Sequence, residues 1–230
     1  MSEFHVLELR VGQVAPLGPK GVPSGIEKHI VSGPVIADTL GLAGDAQGDT
    51  LRHGGRDKAV HAYPASHYAL WRQDLPQIAA RLRPGGFGEN LVVAGVTEQD
   101  ICLGDRWRIG GALMEVSQSR QPCWKLNFRF GVTDMARRVQ TSGRTGWYFR
   151  VLERGSMEAP ATATLVLRAQ PEWPLTRVAR LLYRDVLDLE ALAALADLPR
   201  LPDSWLRLVR RRIETGSVED WTPRLDATSP

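Results

Sequence analysis

The residues with the most chemical potential lie in Val116-Ser117-Gln118-Ser119-Arg120-Gln121-Pro122-Cys123-Trp124-Lys125-Leu126. A thiol follows an apolar run and is bracketed by Arg120 and Lys125. Proline just before it stiffens the backbone. Nearby positive charge favours thiolate, the form that attacks or binds a metal. Soft-metal or nucleophile chemistry is the expectation here. The other cysteine, Cys102, sits between Ile101 and Leu103 with no adjacent base and reads as a small buried hydrophobe.

Three further segments carry weaker signals. In Leu51-Arg52-His53-Gly54-Gly55-Arg56-Asp57-Lys58-Ala59-Val60-His61, paired glycines allow close backbone approach to a ligand, and Arg52, Arg56 and Lys58 suit phosphate. A hairpin turn with solvated charges explains the same pattern equally well. In Phe87-Gly88-Glu89-Asn90-Leu91, the polar pair after glycine can read a heterocycle edge, but a turn closed by an Asx-type bond is the simpler reading. In Ser142-Gly143-Arg144-Thr145-Gly146-Trp147-Tyr148-Phe149-Arg150, aromatics and arginines either line a pocket for a planar anion or belong to ordinary core.

Several chemistries are absent from the sequence. It has no H-E-x-x-H and no C-x-x-C, so neither pattern supplies a zinc site. Cys123 is followed by Trp-Lys-Leu, which rules out the deaminase P-C-x-x-C. G-x-S-x-G, Walker A and G-x-G-x-x-G are missing too. Two cysteines among 230 residues make no disulfide scaffold and point to a reduced, cytoplasmic setting. The first ten residues lack the apolar stretch of a secretory signal. No apolar run approaches the length of a membrane span, so no membrane partner is expected. The net charge is +3, and up to Gln170 there are 20 basic against 16 acidic residues. That mild excess suits a phosphorylated small molecule, and no nucleic-acid partner is expected.

The elements that must position these residues divide at about Pro171. Residues 1–170 read as short strands with glycine punctuation, which suggests a closed or sandwiched β architecture. Leu7, Leu9 and Val11 alternate with charges; Ile26, Lys28 and Ile30 do so less cleanly. Leu91 to Val93, Ile101 to Leu103, Leu113 to Val116 and Thr162 to Leu167 are further strands. Helices are expected over Ser66 to Leu75 and Thr133 to Gln140, the latter capped by Thr133 and stopped by Gly143. Residues 171–230 read as three short helices, carrying Leu175/Val178/Leu181/Leu182, Leu189/Leu192/Ala193/Ala196 and Trp205/Val209/Ile213, with Asp203 or Ser204 capping the third. Such a unit buries little by itself and should dock on the β part, within one subunit or across two of a homodimer.

Together, His53 to Val60, Gly88-Glu89-Asn90-Leu91, Leu103-Gly104-Asp105, Ser117 to Leu126 and Gly146 to Arg150 resemble the MOSC family, the domain related to the C-terminus of molybdenum-cofactor sulfurases. The likeness is closer to its YiiM-like branch, whose C-terminal helical appendage the last 60 residues also resemble. It covers nearly the whole chain in order. The resemblance implies a mainly β fold with α, a MOSC-type β-barrel of the pyruvate-kinase-insert kind plus a C-terminal three-helix bundle. It implies a molybdenum cofactor (molybdopterin) in a basic cleft with Cys123 as the metal ligand. On that basis Lys58, Arg120 and Arg150 are assigned to the pterin phosphate, and His53, Asn90 and Ser117 to the pterin or substrate. The family commonly has proline where Ser119 stands, but Arg120, Pro122 and Cys123 are present.

The implied reaction reduces N-hydroxylated compounds, notably base analogues such as 6-hydroxylaminopurine, to amines. Breaking an N–O bond takes two electrons, which no ordinary side chain supplies. No set of cysteines for an iron–sulfur cluster is present, and there is no dinucleotide or flavin signature. Electrons are therefore expected from a separate flavoprotein-type reductase. Two other uses of Cys123 stay open at this point: cofactor carriage without turnover, and sulfur transfer through a persulfide.

Overall fold

The structure is a computed structural model, described here for residues 2–49 and 53–226. The strands, in chain order, are β1 (Glu3–Val11), β2 (Ala15–Leu17), β3 (Val22–Ser24), β4 (His29–Ile30), β5 (Val35–Asp38), β6 (Gly41–Leu42), β7 (Val60–Pro64), β8 (Leu91–Ala94), β9 (Arg106–Ile109), β10 (Ala112–Ser119), β11 (Trp147–Glu153), β12 (Gly155–Met157) and β13 (Ala161–Leu167). Seven of them run β13-β9-β10-β11-β7-β8-β1, and β1 pairs back with β13 to close a barrel. Closure removes the exposed edges that an open sheet would have to protect. The short β4 adds to the far end of β1.

Alternation puts every second side chain inside. Val60, Ala62, Trp107, Ile109, Met114, Val116, Trp147, Phe149 and Ala163 belong to one buried apolar cluster. Each large apolar side chain so enclosed contributes about 1.5–3 kcal/mol. In β1 the inward residues are Phe4, Val6 and Leu9, while Leu7 is 44% exposed. Of the expected Leu7/Leu9/Val11 phase, Leu9 is buried and Val11 packs against the core, while Leu7 turns outward at a bulge between Val6 and Glu8.

All barrel pairs are antiparallel except β7 with β8, which are parallel. A parallel pair needs a long crossover. Here it contains α1 (Ser66–Asp74) and a 3₁₀ stretch, Pro76–Arg81. The crossover builds a second apolar cluster from Tyr63, Tyr68, Trp71, Phe87, Phe130 and Val139, with Tyr63 stacked on Phe87 at 4.4 Å. Because the two strands run the same way, the segments leading into them, His53 to Ala59 and Gly85 to Asn90, reach the same end of the pair.

Two helices follow β10: α2 (Lys125–Phe130) and α3 (Met135–Ser142). Sequence periodicity did not anticipate α2. The expected Thr133 cap is not used. Instead Asn127 of α2 accepts the Ala136 N–H at 2.8 Å, so a neighbouring helix satisfies that terminus. Gly143, at φ 74°, does end α3. Ile101 to Leu103 is not a strand: Cys102 makes a single bridge to Pro174, and its N–H is taken by the Asp105 carboxylate at 3.0 Å.

Beyond β13 come α4 (Leu175–Tyr183), α5 (Leu189–Ala196), α6 (Asp203–Thr215) and a short α7 (Thr222–Leu225). Leu175, Val178, Leu182, Leu192, Leu195, Trp205 and Val209 join the barrel's own apolar cluster, so the helices share its core. Neither Asp203 nor Ser204 caps α6, which starts after Pro202 without a side-chain cap. Among the described residues no helix is long and apolar enough to cross a membrane.

Candidate active site around Cys123

The site lies on the outer wall of the barrel. His61 on β7 faces Tyr148 on β11 in register, and their rings are 5.0 Å apart. Their neighbours Val60, Ala62, Trp147 and Phe149 point into the core, so alternation turns His61 and Tyr148 outward. Over this floor close the Ser24 to Lys28 segment, Gln47-Gly48, His53, Phe87-Gly88, Asn90, Arg120, Cys123 and Lys125. Gly88 takes φ +73°, and a Cβ there would stand 2.8 Å from Ile26 Cγ1, so this wall needs glycine. The hollow has about 40 Å³ of free space, room for a few waters, so a larger ligand must part its walls.

Cys123 follows the end of β10 and precedes α2, and is 7% exposed. Its Sγ lies 3.2 Å from His53 Nε2. The other nitrogen of His53 is 3.7 Å from the Asp49 carboxylate. Burial, with Lys125, Lys58 and Arg120 nearby, pushes the His53 pKa down to about 4, so the ring is neutral at neutral pH. His61 is held well below the usual histidine range by burial and by Arg120.

Positive charge converges here. Lys28, Arg120 and Lys125 all line the hollow. Lys28 is buried in an ion pair with Asp45, which also accepts the Gly12 N–H and an Asn90 N–H. Burial lowers the Lys28 pKa against the pull of Asp45. Lys125 donates to the Pro23 carbonyl at 3.0 Å. Lys58 is drawn below the usual lysine range by burial, with Cys123, Asp49 and Asp57 opposing that shift. Arg120 is 6% exposed, and its buried Nη1 has no hydrogen-bond partner among the described residues. A buried guanidinium N–H without an acceptor is costly and marks a place for an anion.

The structure brings His53, Asn90, Arg120 and Cys123 to one hollow, and Lys58 within electrostatic reach of the thiol. Asn90 is nonetheless spent on architecture. It accepts the His61 N–H at 3.0 Å and donates to Arg10 O and Asp45. Ser117 and Arg150 do not line the hollow. Ser117 donates to the Asp57 and Tyr148 carbonyls. Arg150 pairs with Asp57 and Glu115 and reaches the Arg200 carbonyl. Both sit on the flank where Glu115 also meets Arg106 and Arg200. The structure therefore places Arg150 and Ser117 on this flank and not in the lining of the Cys123 hollow, although Arg150 Nε is buried without a partner among the described residues. Leu51 and Arg52 lie outside the described residues.

Glu89 fits its bland reading. It is fully buried and accepts from Tyr68 Oη and from the N–H groups of Gly85 and Phe87. Trp147 and Phe149 are core. Sequence reasoning missed Lys28, His61, Tyr148 and Asp45 as site residues. Lys28 carried a signal: a lysine in the apolar phase of Ile26-x-Lys28-x-Ile30. His61 and Tyr148 carried one only if the inward phase of their strands was already known.

No group of three or more His, Cys, Asp or Glu among the described residues could hold a metal ion unaided. A metal here would have to arrive with its own ligands, leaving one soft position for Cys123. That donor set, with its surplus of cations, fits an anionic metal complex such as the molybdenum cofactor.

Comparison with known proteins agrees with this architecture. The chain matches the MOSC domain over residues 49–162 and the YiiM-like, 3-alpha helix domain over residues 173–216. It belongs to the MOSC family, in its YiiM-like branch. Protein YiiM of Escherichia coli is 37% identical over 207 residues, covering 90% of this chain and 92% of that one. The crystal structure of YiiM from Escherichia coli superposes with a TM-score of 0.81 at 33% identity, covering 94% of this chain and all of that one. A Gibberella moniliformis protein named a reductase is 34% identical over 213 residues, which are 91% of this chain and 37% of that protein.

Proposed function

We propose that the chain is a molybdenum-cofactor-dependent reductase of N-hydroxylated compounds, 6-hydroxylaminopurine-type base analogues among them, supplied with electrons by a separate flavoprotein-type reductase. The observation that carries this reading is the Cys123 thiol, held against a neutral His53 in a cation-lined hollow with an Arg120 Nη1 that has no partner among the described residues. The family's association with the molybdenum cofactor supports it, as does the reductase name of the fungal relative.

Cys123 would be the protein's ligand to the metal. Arg120, Lys125, Lys28 and Lys58 would meet the anionic groups of the cofactor. Bound there, the cofactor supplies the electron pair that takes R–NH–OH, with two protons, to R–NH₂ and water. Thiolate is the form in which Cys123 would hold a metal, so its proton would need an acceptor. His53 Nε2 is placed to receive it, and with a pKa near 4 it passes the proton on rather than keeping it. The buried ring of His61 and the Tyr148 ring would form the floor beneath the cofactor.

Elemental analysis tests the reading. Protein made in cells that synthesise molybdopterin should carry near-stoichiometric molybdenum, and Cys123→Ala at least tenfold less. Equal metal in the two proteins overturns it.

A further inference from the structure

The match to the helical domain ends at residue 216, yet the chain continues and returns to the thiol. After α6, Glu219 takes a two-point contact from Arg212, whose side chain is 1% exposed and also donates to the Leu182 carbonyl. Glu219 accepts the Trp221 indole N–H at 2.8 Å, and Trp221 packs edge-on against Tyr183. Arg224 then reaches the Cys123 loop. Its guanidinium donates to the Pro122 carbonyl at 2.6 Å and to Gln140 Oε1 at 2.6 Å. Its own carbonyl accepts the Trp124 N–H at 2.8 Å. Next door, the buried Leu225 gives its carbonyl to Asn127 of α2 at 3.0 Å.

The two contacts on the loop are made to chosen peptide units. The Pro122 carbonyl belongs to the peptide entering Cys123, and the Trp124 N–H to the peptide leaving it. Peptide units are planar, so fixing both fixes the two soft dihedrals of the residue between them. Those dihedrals direct the Cα–Cβ bond and hence the sulfur. One residue, about 100 positions away, therefore holds the backbone from which the Cys123 side chain projects.

We propose that residues 217–226 form a strap belonging to the active site, with Arg224 as the residue that positions Cys123 against His53. The inference rests on the reading of Cys123 as the reacting atom. Its test needs neither cofactor nor turnover, so it can fail independently of the molybdenum assay.

The test is the alkylation rate of Cys123 in the full-length, cofactor-free protein, followed by mass spectrometry with N-ethylmaleimide. Cys102, 3% exposed and bonded to the Pro171 carbonyl rather than to the strap, serves as the internal control. Arg224→Met keeps the hydrocarbon stem beside Tyr183 and loses the donors. It should alkylate at Cys123 at least tenfold faster than wild type, with the Cys102 rate unchanged. Arg224→Lys, which retains a donor for the Pro122 carbonyl, should return to within threefold of wild type. Should Arg224→Met not fold, Arg224→Gln is read by the same criterion. A Cys123 rate within twofold of wild type, or one that rises only together with Cys102, overturns the proposal.

Discussion

His53 Nε2 stands 3.2 Å from Cys123 Sγ, across 70 positions of sequence. The contact joins the glycine-rich segment before β7 to the loop after β10, two segments brought together because both strands pair with β11. It also makes the histidine a reporter of the hollow's charge. His53 should titrate near pH 4 rather than 6.5, because burial and three neighbouring cations oppose its protonation. The unfolded chain binds a proton at higher pH than the fold does. The stabilisation is therefore complete above about pH 6.5 and is lost as pH falls toward 4. NMR titration of the ring checks the pKa. Urea midpoints at pH 7.5 and 5 should fall less in His53→Gln than in wild type.

Arg120→Met separates binding from stability. A buried guanidinium with an idle N–H costs the fold more than it returns. The variant should unfold at the same urea concentration as wild type or a higher one, yet retain at least tenfold less molybdenum. A variant that is destabilised but fully loaded would place the idle N–H elsewhere in the chemistry.

Asp45→Asn tests the opposite case. Asp45 neutralises buried Lys28 and ties Gly12, Gln47 and Asn90 together. Removing its charge leaves a buried cation unpaired, at a cost of about 3–5 kcal/mol. Denaturant unfolding should show the loss, and a shift below 1 kcal/mol would mean that Lys28 finds other compensation.

Gly88→Ala should destabilise the chain by about 1–2 kcal/mol, since an L-residue there must hold a left-handed backbone. Its methyl would also press on Ile26 in the wall of the hollow. Cofactor content should fall together with the unfolding midpoint. A neutral substitution would mean that the segment holding Ile26 yields easily.

Arg150→Ala should leave molybdenum content unchanged within twofold. Its partners are Asp57, Glu115 and the Arg200 carbonyl, on the flank where the helices meet the barrel. Thermal unfolding should come earlier by a few degrees, because buried Glu115 loses one of its arginines. Loss of metal with an unchanged melting temperature would restore the phosphate role.

The barrel and the helical unit were legible because alternation and helical periodicity are local signals. The apolar faces of α4 to α6 show the helical signal; Leu113 to Val116 and Leu91 to Val93 were legible instead as short apolar, partly β-branched runs. The Cys123 loop stood out in composition because Arg120 and Lys125 bracket its thiol. What could not be read depended on pairing. The bulge at Val6/Glu8 puts the first half of β1 in the opposite phase, so Phe4 and Val6 turn inward and Leu7 outward, and no residue type announces it. Arg150 looked like Arg120 in sequence, but the register of β11 sends it to Glu115 instead. Arg224 carried no signal at all, because its meaning lies in two peptide groups about 100 residues away.

The placement of His61 and Tyr148 on the exterior of the cylinder has a kinetic consequence. A guest held there never threads a lumen, and the hydrogen-bonded staves need not breathe for it to enter or leave. Residence time is then governed by the covering loops, and the interior packing can drift without retuning it.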